Sequence, residues 1–131
     1  TYYCVGSKIL VGVFMCVFAR VSLRPSITRV SSKTPIVIIT LVATTVATGL
    51  LGMMGNKGGV GIRMEINNSS LCFLCAHMAA HREKVSERNA EFHRILTEMT
   101  FVLPSEKEAE HLPLLSHDVV YWVVLRHCCN G

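Results

Sequence analysis

Acidic residues are missing from the first half of the chain. No Asp or Glu precedes Glu65, whereas residues 1–64 contain seven Lys and Arg; residues 65–131 hold six bases and nine acids. A surplus of positive charge favours an anionic partner. A nucleic acid, an anionic lipid headgroup and a phosphorylated metabolite each meet this condition, and cations that are merely solvated explain it equally well.

Charged residues are scarce overall, and internal repeats are absent. Only 17% of the 131 residues are charged and 50% are hydrophobic, which excludes a disordered or low-complexity chain. This length fits one ordinary domain.

The sequence also lacks a starting Met and any secretory leader, because no basic stretch precedes an apolar run with a small-residue cleavage site. Six cysteines are present, and four of them lie inside apolar runs, where a free thiol packs as a small hydrophobe. We therefore expect a reducing, intracellular setting and an N-terminus that lies upstream of Thr1.

Residues 34–56 carry no charge and are flanked by Lys33 and Lys57, so they are long enough for a membrane-spanning helix. Their second half is rich in Thr and Gly, which favours strands and turns. A membrane anchor therefore remains an alternative to a buried strand.

Periodicity predicts a layered α/β domain, an α+β sandwich. A stretch that is apolar at odd and even positions predicts a central strand, alternation predicts a strand with one polar face followed by a hairpin partner, and a 3.6-residue period predicts a helix. The predicted strands are 8–20, 59–67, 71–77 and 118–125, the predicted helix is 82–100, and 104–116 is a predicted loop.

Six of the nine glycines lie between Gly49 and Gly61, around Asn56 and Lys57. Such a loop can bring backbone N–H groups close to an anion. It matches neither of the common phosphate-loop patterns, so a tight turn without a ligand is an equal interpretation.

Cys72, Cys75, His77 and His81 imitate a zinc site in ligand type. Residues three apart on a strand point to opposite faces, however, so a packed thiol pair is the better interpretation. His77 ends an apolar strand, a common place for a side chain that binds phosphate or transfers a proton, although a structural role fits as well.

Five ordered segments resemble the inositol polyphosphate 5-phosphatase family of the endonuclease/exonuclease/phosphatase superfamily. The longest contains Gly-Asn-Lys-Gly-Gly, another is His-Met-Ala-Ala-His, and the last is His-Asp-Val-Val-Tyr-Trp. The segments are residues 46–60, 68–72, 77–81, 87–89 and 117–122.

The resemblance implies a partial endonuclease/exonuclease/phosphatase fold and Mg²⁺-dependent removal of the 5-phosphate from phosphoinositides or soluble inositol polyphosphates. It implies that His77 acts at the scissile phosphate and that His81 is the second His of that motif. Asn56 and Lys57 match a substrate-side loop. It further implies an anionic membrane surface rather than nucleic acid as partner, and a cytoplasmic protein that is peripheral at membranes.

The sequence departs from the family at several points. The family's Gly-Asp-x-Asn-Tyr-Arg does not follow Trp122, and Cys75 and Ala76 replace its usual Asn and Ser. Residues at about 31–42 resemble an insert and 123–131 a divergent tail, which a retained intron would explain.

We therefore expect residues 1–131 to be a partial catalytic domain that lacks the family's metal ligands and is inactive alone. The alternative is a non-catalytic, phosphatase-like module that binds phosphoinositide through Lys57 and Arg63.

Overall fold

A computed structural model describes residues 1–10, 13–28, 42–48, 57–103 and 108–125. These residues form nine strands, one α-helix and two short 3-10 turns, at Val21–Leu23 and Leu114–Ser116. In chain order the elements are β1 (Tyr2–Leu10), β2 (Val13–Arg20), β3 (Ile27–Thr28), β4 (Val42–Ala47), β5 (Gly58–Ile66), β6 (Ser69–His77), α1 (Val85–Glu98), β7 (Thr100–Leu103), β8 (Glu110–Pro113) and β9 (Val119–Leu125).

The central sheet is built around the β5–β6 hairpin. β3 and β4 pair with β5, β6 pairs antiparallel with β5, and β9 joins β6 in parallel. The hairpin turn uses Asn67 and Asn68 at φ of 48° and 66°, a left-handed conformation that Asn tolerates. The predicted strands 59–67 and 71–77 and their hairpin are therefore confirmed.

The predicted single strand 8–20 is wrong, because these residues belong to two antiparallel strands. β1 and β2 pair from Tyr2↔Arg20 to Leu10↔Val13, so the chain reverses between Leu10 and Val13. A run that is apolar at both odd and even positions fits one strand covered on both faces and fits equally well a hairpin of two strands. The hairpin buries Val13 and leaves Phe14 exposed.

Two layers cover the central sheet. The β1–β2 hairpin packs on one face against Ile62 and Met64 of β5, while α1 and β7 pack on the other against Leu74 of β6. The predicted α/β layered class is thereby confirmed. The second interface is tight, because a Cβ added at Gly61 would lie 2.8 Å from Cζ of Phe101.

The α1 helix covers Val85–Glu98, within the predicted 82–100. Ile95 is buried and Phe92 stacks on Trp122 of β9, with ring centroids 4.8 Å apart. Met99 has an extended conformation at φ −72° and ψ 110°, which ends the helix and leads into β7.

Three further predictions need correction. Residues 104–116 are not simply a loop, because Glu110–Pro113 form β8 and pair with β7. The strand predicted at 118–125 is present as β9, but Tyr121 and Val123 are exposed rather than buried. The polar face predicted for β5 is buried against α1 and β7, and Arg63, only 4% exposed, forms an ion pair with Glu65 there.

Within the described residues, no helix is long and apolar enough to span a membrane. Val42–Ala47 form β4, so a continuous helix over residues 34–56 is contradicted. The predicted insert at 31–42 lies almost entirely outside the described residues and stays a prediction. Of the predicted tail, residues 123–125 continue β9 in register with β6, and the rest lies outside the described part.

Candidate functional site

One edge of the central sheet collects the ends of four strands. The register pairs Gly58, at the start of β5, with Ala47 at the end of β4 and with His77 at the end of β6. His77 in turn pairs with Leu125 at the end of β9. Residues that follow or precede these positions therefore converge at this edge, which places Lys57 beside His77.

The Lys57 and His77 side chains are in contact. Nζ of Lys57 lies 3.1 Å from Nε2 of His77, and both residues are half-buried. An ammonium group has donors and no acceptor, so Nζ donates and Nε2 accepts. The pair offers a cation and a ring nitrogen within one phosphate's reach of each other.

Gly58 lets the chain place Lys57 at this point. Its φ is +148°, and a Cβ there would lie 2.0 Å from the carbonyl oxygen of Val46. Only glycine tolerates both the backbone conformation and this close approach. The Thr48 backbone N–H donates to the Lys57 carbonyl at 2.9 Å and closes the same corner.

Thr48 is a site residue that the sequence reasoning missed. Its hydroxyl oxygen is buried and has no hydrogen-bond partner within the described part of the chain. A buried hydroxyl without a partner costs free energy. The backbone hydrogen bond from Thr48 to Lys57 places this residue at the corner of the site. Its position in the family-like segment 46–60 was the available signal.

The helix α1 holds the segment that follows His77. The Ala79 N–H donates to the Glu91 carboxylate at 2.7 Å. The Arg88 guanidinium donates to the carbonyl oxygens of Ala79, His81 and Arg82. These two side chains fix the direction in which the chain leaves β6. Arg88 lies in a segment that carried the family resemblance, but its role was not predicted.

The predicted site residues are thus only partly brought together. Lys57 and His77 are in contact, whereas His81 is exposed on the loop after β6 with a left-handed φ of 73°. Asn56 lies outside the described residues. Arg63 was expected to bind phosphoinositide in the alternative hypothesis; its burial and its ion pair with Glu65 make that assignment wrong.

Cys72 and Cys75 are buried on opposite faces of β6, as strand geometry predicted. Burial raises the pKa of Cys72 to about 12 and also raises the pKa of Cys75. Both are packed thiols. In the described ranges, no group of three or more His, Cys, Asp and Glu residues could hold a metal ion.

A second polar cluster lies at the opposite end of β6. The Asp118 carboxylate accepts hydrogen bonds from the Ser70 N–H and hydroxyl at 2.7 and 2.8 Å, which lower its pKa. Burial lowers the pKa of His117, whose Nδ1 lies 2.9 Å from the Leu114 carbonyl oxygen. The cluster ties β9 to β6 at the end remote from Lys57, so its role is structural.

Comparison with known proteins relates the chain to one family. The family model for "Endonuclease/Exonuclease/phosphatase family 2" matches residues 1–124. The chain is 43% identical over 83 residues to the type II inositol 1,4,5-trisphosphate 5-phosphatase of Mus musculus, covering 62% of this chain and 8% of that protein. It is 38% identical over 121 residues to synaptojanin-1 of Homo sapiens, covering 92% and 6% respectively.

A solved structure is also similar. It is the inositol polyphosphate 5-phosphatase domain of SPsynaptojanin in complex with inositol (1,4)-bisphosphate and calcium ion. The similarity has a TM-score of 0.72 at 28% identity and covers 94% of this chain and 30% of that chain. The chain thus spans 6% to 8% of the length of the two curated relatives and under a third of the solved domain.

Proposed function

The chain belongs to endonuclease/exonuclease/phosphatase family 2, and from this premise we propose that it supplies the phosphate-binding edge of an inositol polyphosphate 5-phosphatase. The whole protein would hydrolyse the 5-phosphate of soluble inositol polyphosphates or phosphoinositides. The observation that carries the proposal is the contact of 3.1 Å between Lys57 and His77 at the edge where β4, β6 and β9 end and β5 begins.

The residues at this edge suit a phosphate group. Phosphoryl transfer is catalysed chiefly by positioning and by neutralising charge on the phosphoryl oxygens. The Lys57 ammonium supplies the positive charge, and His77 supplies a ring nitrogen beside it. His77 binds a phosphate oxygen once its Nε2 carries a proton, so phosphate binding replaces the contact between Lys57 and His77.

The described residues fit phosphate better than they fit a metal ion. Mg²⁺ prefers several oxygen ligands in octahedral geometry. Lys57 and His77 offer nitrogen atoms, and the ammonium repels a cation. Mg²⁺ dependence belongs to the proposal for the whole protein; its test is phosphate release by that protein with Mg²⁺, with Ca²⁺ and with a chelator.

The second candidate is a non-catalytic module that binds phosphoinositide at the same edge. It is favoured by the sequence after Trp122, where Val124, Leu125, Arg126 and His127 stand at the positions of the family's Gly-Asp-x-Asn pattern. A chain with this composition can bind phosphate through Lys57 without supplying the carboxylate that the family uses. Binding without hydrolysis by the whole protein is its expected result.

Location and domain extent form part of the same proposal. The basic first half supports a cytoplasmic protein that is peripheral at anionic membranes. Residues 1–131 would be part of the catalytic domain, with an insert at about 31–42 and a divergent tail at 123–131. Sequencing the transcript across both segments tests this: the tail hypothesis fails if the messenger encodes the family pattern nowhere after Trp122.

Titration of the 131-residue chain with inositol 1,4-bisphosphate, followed by ³¹P NMR, tests the phosphate edge. Lys57→Ala is expected to weaken binding by about tenfold or more, the scale of one charge-assisted hydrogen bond. The matched control is Lys84→Ala, because Lys84 is a lysine of the same burial class that is paired with Glu87 at the start of α1. Equal affinities for the two variants would contradict the proposal.

A further inference from the structure

Two cysteines face each other across the β1–β2 hairpin. Sγ of Cys4 lies 3.2 Å from Sγ of Cys16, and both thiols are free. The register pairs Cys4 with Phe18 and Cys16 with Ser7, so the two residues are diagonal neighbours. The pairing of β1 with β2 shifts by one residue between Cys4 and Gly6, as at a β-bulge.

The geometry is close to that of a disulfide. The bond length is about 2.05 Å, so the sulfur atoms need to approach by roughly 1 Å. Rotation about the two Cα–Cβ bonds supplies such a displacement on a surface hairpin. Nothing comparable joins Cys72 and Cys75, which lie on opposite faces of β6.

Accessibility separates the two pairs as well. Cys4 is exposed and Cys16 is partly exposed, whereas Cys72 and Cys75 are buried. A dissolved oxidant therefore reaches the hairpin pair and not the β6 pair. The hydrogen bond between the two thiols is the main cause that raises the pKa of Cys16. Cys4 is the more exposed of the two, so a dissolved oxidant meets it first.

We propose that Cys4 and Cys16 form a reversible redox modification site, in which a small disulfide oxidant such as glutathione disulfide converts the two thiols into a cross-strand disulfide. The Cys4 thiolate attacks one sulfur of the oxidant, forms a mixed disulfide and releases one small thiolate. The Cys16 sulfur then attacks the Cys4 sulfur and releases the second, and the two protons pass to the two released thiols.

The modification would join the strands that support the phosphate edge. The inner face of the hairpin packs on the central sheet, and Leu10 lies against Gly58, since a Cβ there would be 2.9 Å from Cδ2 of Leu10. The disulfide would form on the opposite, outer face, where Phe14 and Phe18 are exposed. The disulfide would therefore cross-link β1 to β2 without contacting the core.

Peptide mapping after equilibration with glutathione buffers tests the proposal directly. Trypsin cleaves after Lys8 and Arg20, so it places Cys4 in residues 1–8 and Cys16 in residues 9–20. The remaining cysteines fall into residues 64–82 and 127–131. Free thiols are blocked with N-ethylmaleimide before digestion, and the linked peptides are identified by mass.

The expected result is a single cross-link between peptides 1–8 and 9–20 that loses two hydrogens and disappears on reduction. Cys4→Ser and Cys16→Ser each abolish it, whereas the double variant Cys128→Ser, Cys129→Ser keeps it. In concentrated urea the ratio of cross-linked to reduced chain falls about tenfold or more, because unfolding no longer holds the two thiols next to each other and lowers their effective concentration.

Three outcomes overturn the proposal. These are a mixed disulfide with glutathione at Cys4 and no cross-link, alkylation of all four described cysteines at the same rate, and an equal cross-linked ratio in buffer and in urea. The last comparison needs no variant, so it stands even if a serine variant does not fold.

Discussion

Replacing Gly58 with Ala tests how the backbone positions Lys57. Gly58 has a φ of +148°, and its added Cβ would lie 2.0 Å from the Val46 carbonyl oxygen and 2.9 Å from Cδ2 of Leu10. The leucine side chain can move, but the carbonyl belongs to the β4–β5 ladder and cannot move without breaking it. The substitution therefore meets both backbone strain and a backbone clash.

Each contribution can be estimated. A non-glycine residue in this conformation costs about 1–3 kcal/mol, and an added methyl group in a well-packed place costs about 1–3 kcal/mol. We expect Gly58→Ala to lower the free energy of unfolding by roughly 2–6 kcal/mol, a large part of the ~5–15 kcal/mol that a typical domain has. The same displacement moves Lys57 away from His77, so affinity for inositol 1,4-bisphosphate falls as well.

Urea unfolding followed by the fluorescence of the single Trp measures the effect, because Trp122 stacks on Phe92 and is sensitive to loss of packing. Gly59→Ala is the matched control. Its Cβ would meet the side-chain ends of Ile95 and Met99 at 3.1 and 3.2 Å, which must shift by a few tenths of an ångström, so the cost is about 1 kcal/mol, the low end for an added methyl group. Equal losses for the two variants would refute the reasoning.

Two further predictions concern the supports of the sheet. Burial lowers the pKa of His117, so the unfolded chain binds more protons than the folded chain. The free energy of unfolding therefore falls as the pH drops below the ordinary histidine pKa of about 6.5. Unfolding curves of His117→Gln should lose that pH dependence, while those of His93→Gln, at an exposed helix position, should keep it. Arg88→Ala should destabilise the chain by about 1–2 kcal/mol and weaken inositol phosphate binding, because three carbonyl oxygens lose their donor. Arg94→Ala removes an exposed pair with Glu98 and should cost under about 0.5 kcal/mol. Similar denaturation midpoints for the two variants would contradict the role of Arg88 in holding the segment after β6.

Local patterns predicted local structure well. The β5–β6 hairpin follows from clean alternation interrupted by Asn67 and Asn68, which favour the turn. The helix follows from its period, and its end at Glu98 is set by the short step into β7. These features depend on residues close together in the sequence.

Pairing between distant segments could not be predicted in the same way. The run 8–20 carries only Gly12 as a signal for its reversal, and it pairs with residues that precede it. Arg63 was placed on a polar face because its strand alternates, yet α1 and β7 cover that face and Glu65 pairs with it. Which face is covered depends on elements that lie far along the chain.

The candidate site also combines features that the sequence predicted with features that depend on strand pairing. Gly-Asn-Lys-Gly-Gly and the two histidines were singled out from residue type and family resemblance. The contact between Lys57 and His77, however, depends on the register of β5 against β6, and the position of Thr48 beside Lys57 depends on the register of β4. The β5–β6 register follows from the hairpin turn, whereas the register of β4 against β5 is not encoded in a local pattern.

The state of the His77 ring tests the central claim most directly. The ¹⁵N chemical shift of Nε2 reports whether that nitrogen accepts from Lys57 or carries a proton. We predict an unprotonated, hydrogen-bond-accepting Nε2 in the free chain and a protonated Nε2 when inositol 1,4-bisphosphate is bound. An Nε2 signal that does not change while the ligand binds would place the phosphate elsewhere and contradict the account.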